Sequence, residues 1–426
     1  MGASKRSLRG LDLVNVFMAD VKDGVGVYLS VYLLTDLKWD PARIGWVVAI
    51  PWFVSILAQA PVGALIDHTR LKRLLLILAS AIVAASCLTV VFLPTLLPIS
   101  LAQVALGLVQ TLFPPCVAAI TLGMVGHQRM SRRIGRNEGF NHAGNMLAAV
   151  VSIFIGWYIS YEGIFYFSVF QCVAIIAATL LIRERDIDHD LARAAAEEGS
   201  RSATSSLAGA RALWSRRNIA FFIVCMGLWN LANGAMLPLL GQKLGLDDVR
   251  NSALFLSICI TIAQAVMIAV APLASRWAAT HGRKRLFLVA FLLVPVRALL
   301  FAFIDTKPVL IGLQVVDGLG AGIYGVLLIV MMADLGKGTG HFNLLQGMTY
   351  SAVGLGMALS NILGGWMVKL GGYPAAFLTL AGVGMGATLL FALRVQEPPH
   401  KDEPAPARER PPRRQRGGPL IPGTAR

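Results

Sequence analysis

Asp20-Val21-Lys22-Asp23-Gly24 places three ionisable side chains inside an otherwise apolar run that extends over residues 11–34. A run of that length crosses a hydrocarbon core of about 30 Å, which takes roughly 20 apolar residues. Charges at bilayer depth cost about 2.5–3.5 kcal/mol each to insert, so they persist where they pair or face a watery cavity. The pattern returns as Asn230-Leu231-Ala232-Asn233-Gly234, at an offset of 230 − 20 = 210. Two distant apolar runs thus carry a polar pair and a glycine at the same place.

Working outward, the chain has 426 residues, of which 56% are apolar and 14% charged. Its mean hydropathy is +0.66. Apolar blocks long enough to span fall at 11–34, 42–65, 74–93, 97–125, 138–160 and 163–182. A second series follows at 219–241, 252–274, 286–304, 308–335, 344–370 and 374–393. This predicts an all-α integral membrane protein of twelve transmembrane helices in two six-helix halves. The halves cover 1–182 and 218–394, joined by a cytoplasmic linker over 183–217 rich in Ala, Ser, Arg and Glu. The basic tail over 395–426, with its paired prolines and arginines, cannot bury a core and is expected to be disordered.

Further matches support the duplication. Gln103 and Gly107 correspond to Gln314 and Gly318 (314 − 103 = 211), and Gly139 and Gly156 to Gly347 and Gly364 (347 − 139 = 208). A parallel six-helix repeat is a transporter architecture in which sites lie near the midplane between halves.

Net charge is +15, from 38 Lys and Arg against 23 Asp and Glu. The cations cluster in alternate loops, at Arg70 to Arg73, Arg129 to Arg136 and Arg283 to Arg285. That asymmetry is the positive-inside signal, and it places both termini in the cytoplasm of a bacterial inner (plasma) membrane. The basicity reports topology, not a nucleic-acid partner. The N-terminal run is too long and too charged for a cleaved signal peptide. Five cysteines stand singly in apolar segments, so no metal site or cofactor is expected.

The loop Gly63-Ala64-Leu65-Ile66-Asp67-His68-Thr69-Arg70-Leu71-Lys72-Arg73 resembles the G-x-x-x-D-[RK]-x-G-x-[RK]-[RK] signature of the major facilitator superfamily. Gly63, Asp67, Lys72 and Arg73 fit it, whereas His68 and Arg70 depart. The equivalent loop over 275–285 keeps Gly282, Lys284 and Arg285 but has Ala279 in place of the acid. The resemblance implies a secondary transporter working by alternating access. It also implies that the first, fourth, seventh and tenth helices line the cavity while the third, sixth, ninth and twelfth support them. Asp67 suits a gate, since it can accept hydrogen bonds across the interface between halves. For Arg70, Lys72 and Arg73 the positive-inside rule alone is an equal explanation. Gln103 stands where drug–proton antiporters of this superfamily often carry Arg, and the fifth span lacks their Gly-Pro pair. Export is therefore not carried by motif, although it is preferred here over uptake.

At 1.5 Å per residue Asp20 lies roughly 13 Å and Asp23 roughly 18 Å in from residue 11, bracketing the midplane. Three residues apart, they share a helix face. Lys22 points about 160° away from Asp20 and is the natural counter-ion. A buried ion pair that only fixes packing is the plainer alternative, but Asn230 and Asn233 at the matching place favour a cavity lined from both sides. Asp317 is a second intramembrane carboxylate, roughly 14 Å in, and Arg297 lies at a similar depth. Their pairing is expected, with Arg297 in a supporting role. Protons are the expected coupling ion, through Asp20, Asp23 or Asp317, because a carboxyl group in low dielectric holds its proton more readily.

Glu138, Asn141, His142 and Asn145 form one polar stripe, in which His142 can relay protons or simply sit near headgroups. Gln59, Gln110, Gln264, Tyr324, Gln346 and Asn361 are further cavity candidates, most of them suited to helix-to-helix hydrogen bonds. Pro114-Pro115 is expected to kink the fourth helix. With no nucleophile–base pair or metal constellation, the chain does not read as an enzyme. The reading is a monomeric transporter of a small solute, the alternative being a transport-inactive sensor or scaffold on the same fold.

Overall fold

In a computed structural model of the chain the described residues are 3–23, 25–188, 206–248, 251–337, 339 and 341–397, and their regular structure is helical. The order is α1 (Lys5–Asp23), α2 (Val25–Thr35), α3 (Pro41–His68), α4 (Lys72–Phe92), α5 (Leu96–Tyr158) and α6 (Glu162–Leu181), then a 3-10 turn at Glu184–Asp186. It continues with α7 (Ser206–Ser215), α8 (Arg217–Asn233), α9 (Met236–Asp247), α10 (Ser252–His281), α11 (Arg283–Phe303), α12 (Lys307–Gly312), α13 (Gln314–Gly336) and α14 (Phe342–Arg394). Residues 189–205 of the linker and 398–426 of the tail lie outside the described residues.

Ten helical stretches, counted among the described residues, are long and apolar enough to cross a membrane, two of them within α5 and two made of α8 with α9 and α12 with α13. α5 has 63 residues and α14 has 53, roughly 95 and 80 Å of helix and well beyond one crossing. Each turns at glycine: Gly126 (φ 70°) in α5 and Gly371-Gly372 (φ 75° at the second) in α14. Backbone dihedrals stay helical at Pro114 and Pro115, and the non-helical backbone of α5 falls at Gly126, just beyond the expected fourth span. Two expected spans are themselves broken: 219–241 at Gly234-Ala235 and 308–335 at Leu313. A break inside the apolar region must still satisfy its backbone. At the first, the Ala235 N–H donates to Ser360 Oγ at 2.8 Å. The linker also contains α7, which composition did not suggest.

Packing follows the side chains. On α11 Val289, Leu292, Val296, Leu299 and Phe303 are exposed, an apolar stripe suited to lipid, while Phe287, Phe291, Val294, Arg297 and Phe301 are buried on the other face. Buried hydroxyls return to their own helix, as in Ser80 to Leu76 O (2.9 Å) and Thr179 to Ile175 O (2.8 Å).

The close approaches come in pairs. A Cβ on Gly107 would lie 2.6 Å from the Pro51 carbonyl oxygen, and one on Gly318 would lie 2.5 Å from that of Ala263. Likewise Gly144 abuts the Val16 carbonyl and Gly356 that of Gly227. The Arg183 N–H donates to Ser7 Oγ (3.0 Å), and the Gln396 N–H to Asn218 Oδ1 (2.8 Å). The offsets are 318 − 107 = 211, 356 − 144 = 212 and 218 − 7 = 211. The 208-residue match of Gly139 and Gly156 with Gly347 and Gly364 has no such packing: Gly156 meets Ala253, whereas Gly364 meets Leu239 and Ala235.

Candidate functional site

α8 ends at Asn233, α13 begins at Gln314, and α11 lays Arg297 against both. Arg297 forms an ion pair with Asp317. Its guanidinium also donates to Asn233 Oδ1 and approaches Met236 Sδ at 3.2 Å. The side chains are 4% and 18% exposed, so the pair is buried on the arginine side and reachable on the aspartate side. The cation stands at the C-terminal end of α8 and the carboxylate in the first turn of α13, each at the helix pole that favours it. Arg297 Nε is buried with no partner among the described residues. A small pocket beside the pair is lined by Trp229, Val294, Val316 and Gly320 among others. Trp229 stacks on Tyr324 with ring centroids 3.7 Å apart, and Asn230 Nδ2 donates to Tyr324 Oη at 2.9 Å. The sequence candidates Asn230, Asn233, Arg297 and Asp317 are thus gathered in one set of helices, with Arg297 inside the cluster rather than behind it.

Asp20 is buried in α1, whereas the side chains of Lys22 and Asp23, and all of Gly24, lie outside the described residues. Gln103 and Gln314 are each 1% exposed, and each has one amide atom with no partner among the described residues. His142 is half-buried, with Nδ1 similarly placed, and Glu138 in the same stripe is exposed.

The carboxylate missed in the sequence is Asp12. It is buried, accepts from Arg133 at 2.6 Å, and is gripped by Arg136 through Nε (3.2 Å) and Nη2 (2.8 Å). Its signal was a lone acid at the entry of the first span, with the basic cluster 129–136 unassigned to any partner.

At the end of α3, the Asp67 side chain lies outside the described residues. Arg70 is exposed, Lys72 is fully buried with Nζ donating to Thr69 O (2.8 Å), and Arg73 pairs with Glu184 at 2.8 Å. In the second loop Gly282 takes φ 86° between α10 and α11, a left-handed backbone that favours glycine. Arg285 is exposed, and Lys284 donates to Ala392 O at 2.8 Å. The Arg73 and Lys284 contacts stay within their own sets of helices. Near the chain start the Ser4 N–H (3.2 Å) and the Ser4 and Ser7 hydroxyls converge on Asp186. These donors hold its carboxyl below the ordinary carboxylate range.

The helices before residue 188 and those after 206 meet closely where α2 ends and α3 begins. Gly45 abuts the Asn361 carbonyl and Gly365 that of Pro41. Tyr28 Oη and Ser257 Oγ are hydrogen-bonded at 2.8 Å in the buried seam, and Lys369 meets Asp40 at 3.4 Å on its rim. Eighteen residues along the same two helices (63 − 45 = 18; 365 − 347 = 18), a Cβ on Gly63 or Gly347 would meet nothing within 4 Å. The two sets of helices are packed closely at one end and, around Gly63 and Gly347, more open at the other among the described residues, with ionisable groups buried at mid-depth.

That combination defines a multi-pass membrane transporter. The Major Facilitator Superfamily model matches residues 11–279 and 250–423, and the chain belongs to that family, whose members are transporters and not enzymes. Uncharacterized MFS-type transporters from two strains of Mycobacterium tuberculosis are each 39% identical over 396 residues, covering 92% of this chain and 94% of theirs. Among solved structures, the nucleoside transporter NupG has a TM-score of 0.73 at 17% identity, covering 91% of this chain and 98% of its own. A structure from the proton dependent oligopeptide transporters has a TM-score of 0.65 at 13% identity, covering 91% and 98%. At these identities the two solved structures share the fold alone.

Proposed function

We propose that the chain is a proton-coupled secondary transporter that moves a small solute across the bacterial inner membrane by alternating access. Its twelve spans form two six-helix halves over 1–182 and 218–394, joined by the 183–217 linker, and the protein acts as a monomer. The paired contacts at offsets of 211 and 212 support the halves. The positive-inside distribution supports cytoplasmic termini. The looser packing around Gly63 and Gly347 lies at the end where the chain starts, which suits loading from the cytoplasm and hence export.

The observation that carries the coupling is the buried Arg297–Asp317 pair bonded to Asn233. Protonation of Asp317 removes the counter-charge of a buried guanidinium and leaves it the neutral Asn233 oxygen. The pair therefore has two electrostatic states in contact with the break between α8 and α9. Asp20, in the matching helix of the other half, is the second carboxylate of the site. Asp67 and its loop remain the candidate gate.

A thermal-shift screen of compounds at two pH values finds the solute by its stabilisation of the folded protein. In proteoliposomes with an imposed proton gradient, Asp20→Asn and Asp317→Asn are each expected to abolish gradient-driven flux of that solute while the protein still folds. Full coupled flux in both variants would remove the site. Failure of well-folded wild-type protein to move any screened solute would favour the sensor or scaffold reading.

A further inference from the structure

We infer that α7 and the turn into α8 form a docking surface for the headgroups of anionic phospholipids in the leaflet at the open end. The stretch reads Ser206-Leu207-Ala208-Gly209-Ala210-Arg211-Ala212-Leu213-Trp214-Ser215-Arg216-Arg217-Asn218, three arginines and no acid. Its inner side is fixed to the protein: Leu213 is 1% exposed, and a Cβ on Gly209 would lie 3.1 Å from Leu344 Cδ2 at the start of α14. Its outer side is free. Arg211 and Trp214, three apart on one helix face, are both exposed, as are Arg216 and Arg217 at the turn. None of the three guanidiniums has an ion-pair partner among the described residues.

Depth selects the occupant. The apolar span begins at Ile219, two residues beyond Arg217, so the arginines and the indole stand at the polar–apolar boundary. Indoles favour that boundary, and basic residues there gain from anionic lipid at about 1 kcal/mol each. A free anion would use the arginines and leave Trp214, 51% exposed, without a role. The first helix offers a natural control. Lys5, Arg6 and Arg9 in α1 are exposed at the same end, but no aromatic ring accompanies them.

The test titrates the purified full chain, in neutral detergent, with phosphatidylglycerol or phosphatidylcholine and counts bound lipids by native mass spectrometry. Wild type is expected to prefer phosphatidylglycerol. The triple variant R211Q/R216Q/R217Q should weaken that binding about a hundredfold, at about fivefold per basic residue. R216Q alone should cost about fivefold, and Trp214→Ala should weaken both lipids alike. The triple variant K5Q/R6Q/R9Q should stay close to wild type. Equal losses in the two triple variants, or no loss in the first, would overturn the proposal. So would displacement of phosphatidylglycerol by inorganic phosphate at matched concentration, which would make this a free-anion site.

Discussion

Gly107 against the Pro51 carbonyl and Gly318 against the Ala263 carbonyl are the same contact made twice, yet the charged groups around them are not duplicated. At the repeat distance Arg297 and Asp317 correspond to Ser86 and Leu106 (297 − 211 = 86; 317 − 211 = 106). Asp12 and Arg133 correspond to Ile223 and Leu344 (12 + 211 = 223; 133 + 211 = 344). The helices before residue 188 hold the buried Asp12 cluster near the open end, whereas those after 206 hold Asp334 there, paired with Arg283 and Lys337, and a further pair at mid-depth. Backbone approach is therefore what the fold requires of both sets. Charge is placed separately in each, with an ion cluster at the open end of both and, in the second, the Arg297–Asp317 pair along the proposed transport path.

The largest effect is expected where that asymmetry is deepest. Asp317→Asn leaves Arg297 buried without a counter-charge and should cost about 3–5 kcal/mol, read by unfolding in mixed micelles. A loss under 1 kcal/mol would mean that the guanidinium finds another partner, and the contrast between the two sets would weaken. Next come the shared contacts. Gly107→Ala and Gly318→Ala each drive a methyl group against a carbonyl oxygen and should each cost about 1–3 kcal/mol. Near-equal losses sharpen the comparison, and a wide disparity breaks the equivalence of the two sets.

Smaller effects are expected at the seam. Tyr28→Phe removes the bond to Ser257, worth about 1 kcal/mol net, so an impermeant thiol reagent should label a cysteine at Asn361 roughly fivefold faster. Unchanged labelling would show that glycine packing alone holds the closely packed end. The smallest effect is a pH dependence. Asp186 is held below its ordinary value by Ser4 and Ser7, so its contribution is present above the unfolded-state value, about 3.9. It is lost as pH falls through the lower folded value. Hydrogen exchange at the start of α1 should stay slow at neutral pH and quicken only in acid, and Asp186→Asn should remove that dependence.

Much of this was legible in the sequence because spans are set by long apolar blocks. The expected 74–93, 163–182 and 286–304 lie within three residues of α4, α6 and α11 at each end. Arg297 and Asp317 could be paired from depth alone, since a buried charge needs a partner. Three things were not legible. Helix breaks at Gly234-Ala235 and Leu313 leave hydropathy unchanged, so composition is silent about them. Asp12 sits at the edge of an apolar run, where an acid looks like an interfacial residue until Arg133 and Arg136 are folded against it. α7 is short and basic, and its helicity depends on docking Leu213 and Gly209 against the bundle, a tertiary fact.

The most direct test measures proton movement into proteoliposomes on addition of the solute found by the thermal-shift screen, comparing Asp317→Asn with Asp12→Asn. The expected result is that Asp317→Asn abolishes solute-dependent proton movement while still exchanging solute across the membrane, and Asp12→Asn keeps both. Proton movement that survives in Asp317→Asn, or that is lost only in Asp12→Asn, would contradict the assignment of coupling to the mid-depth pair.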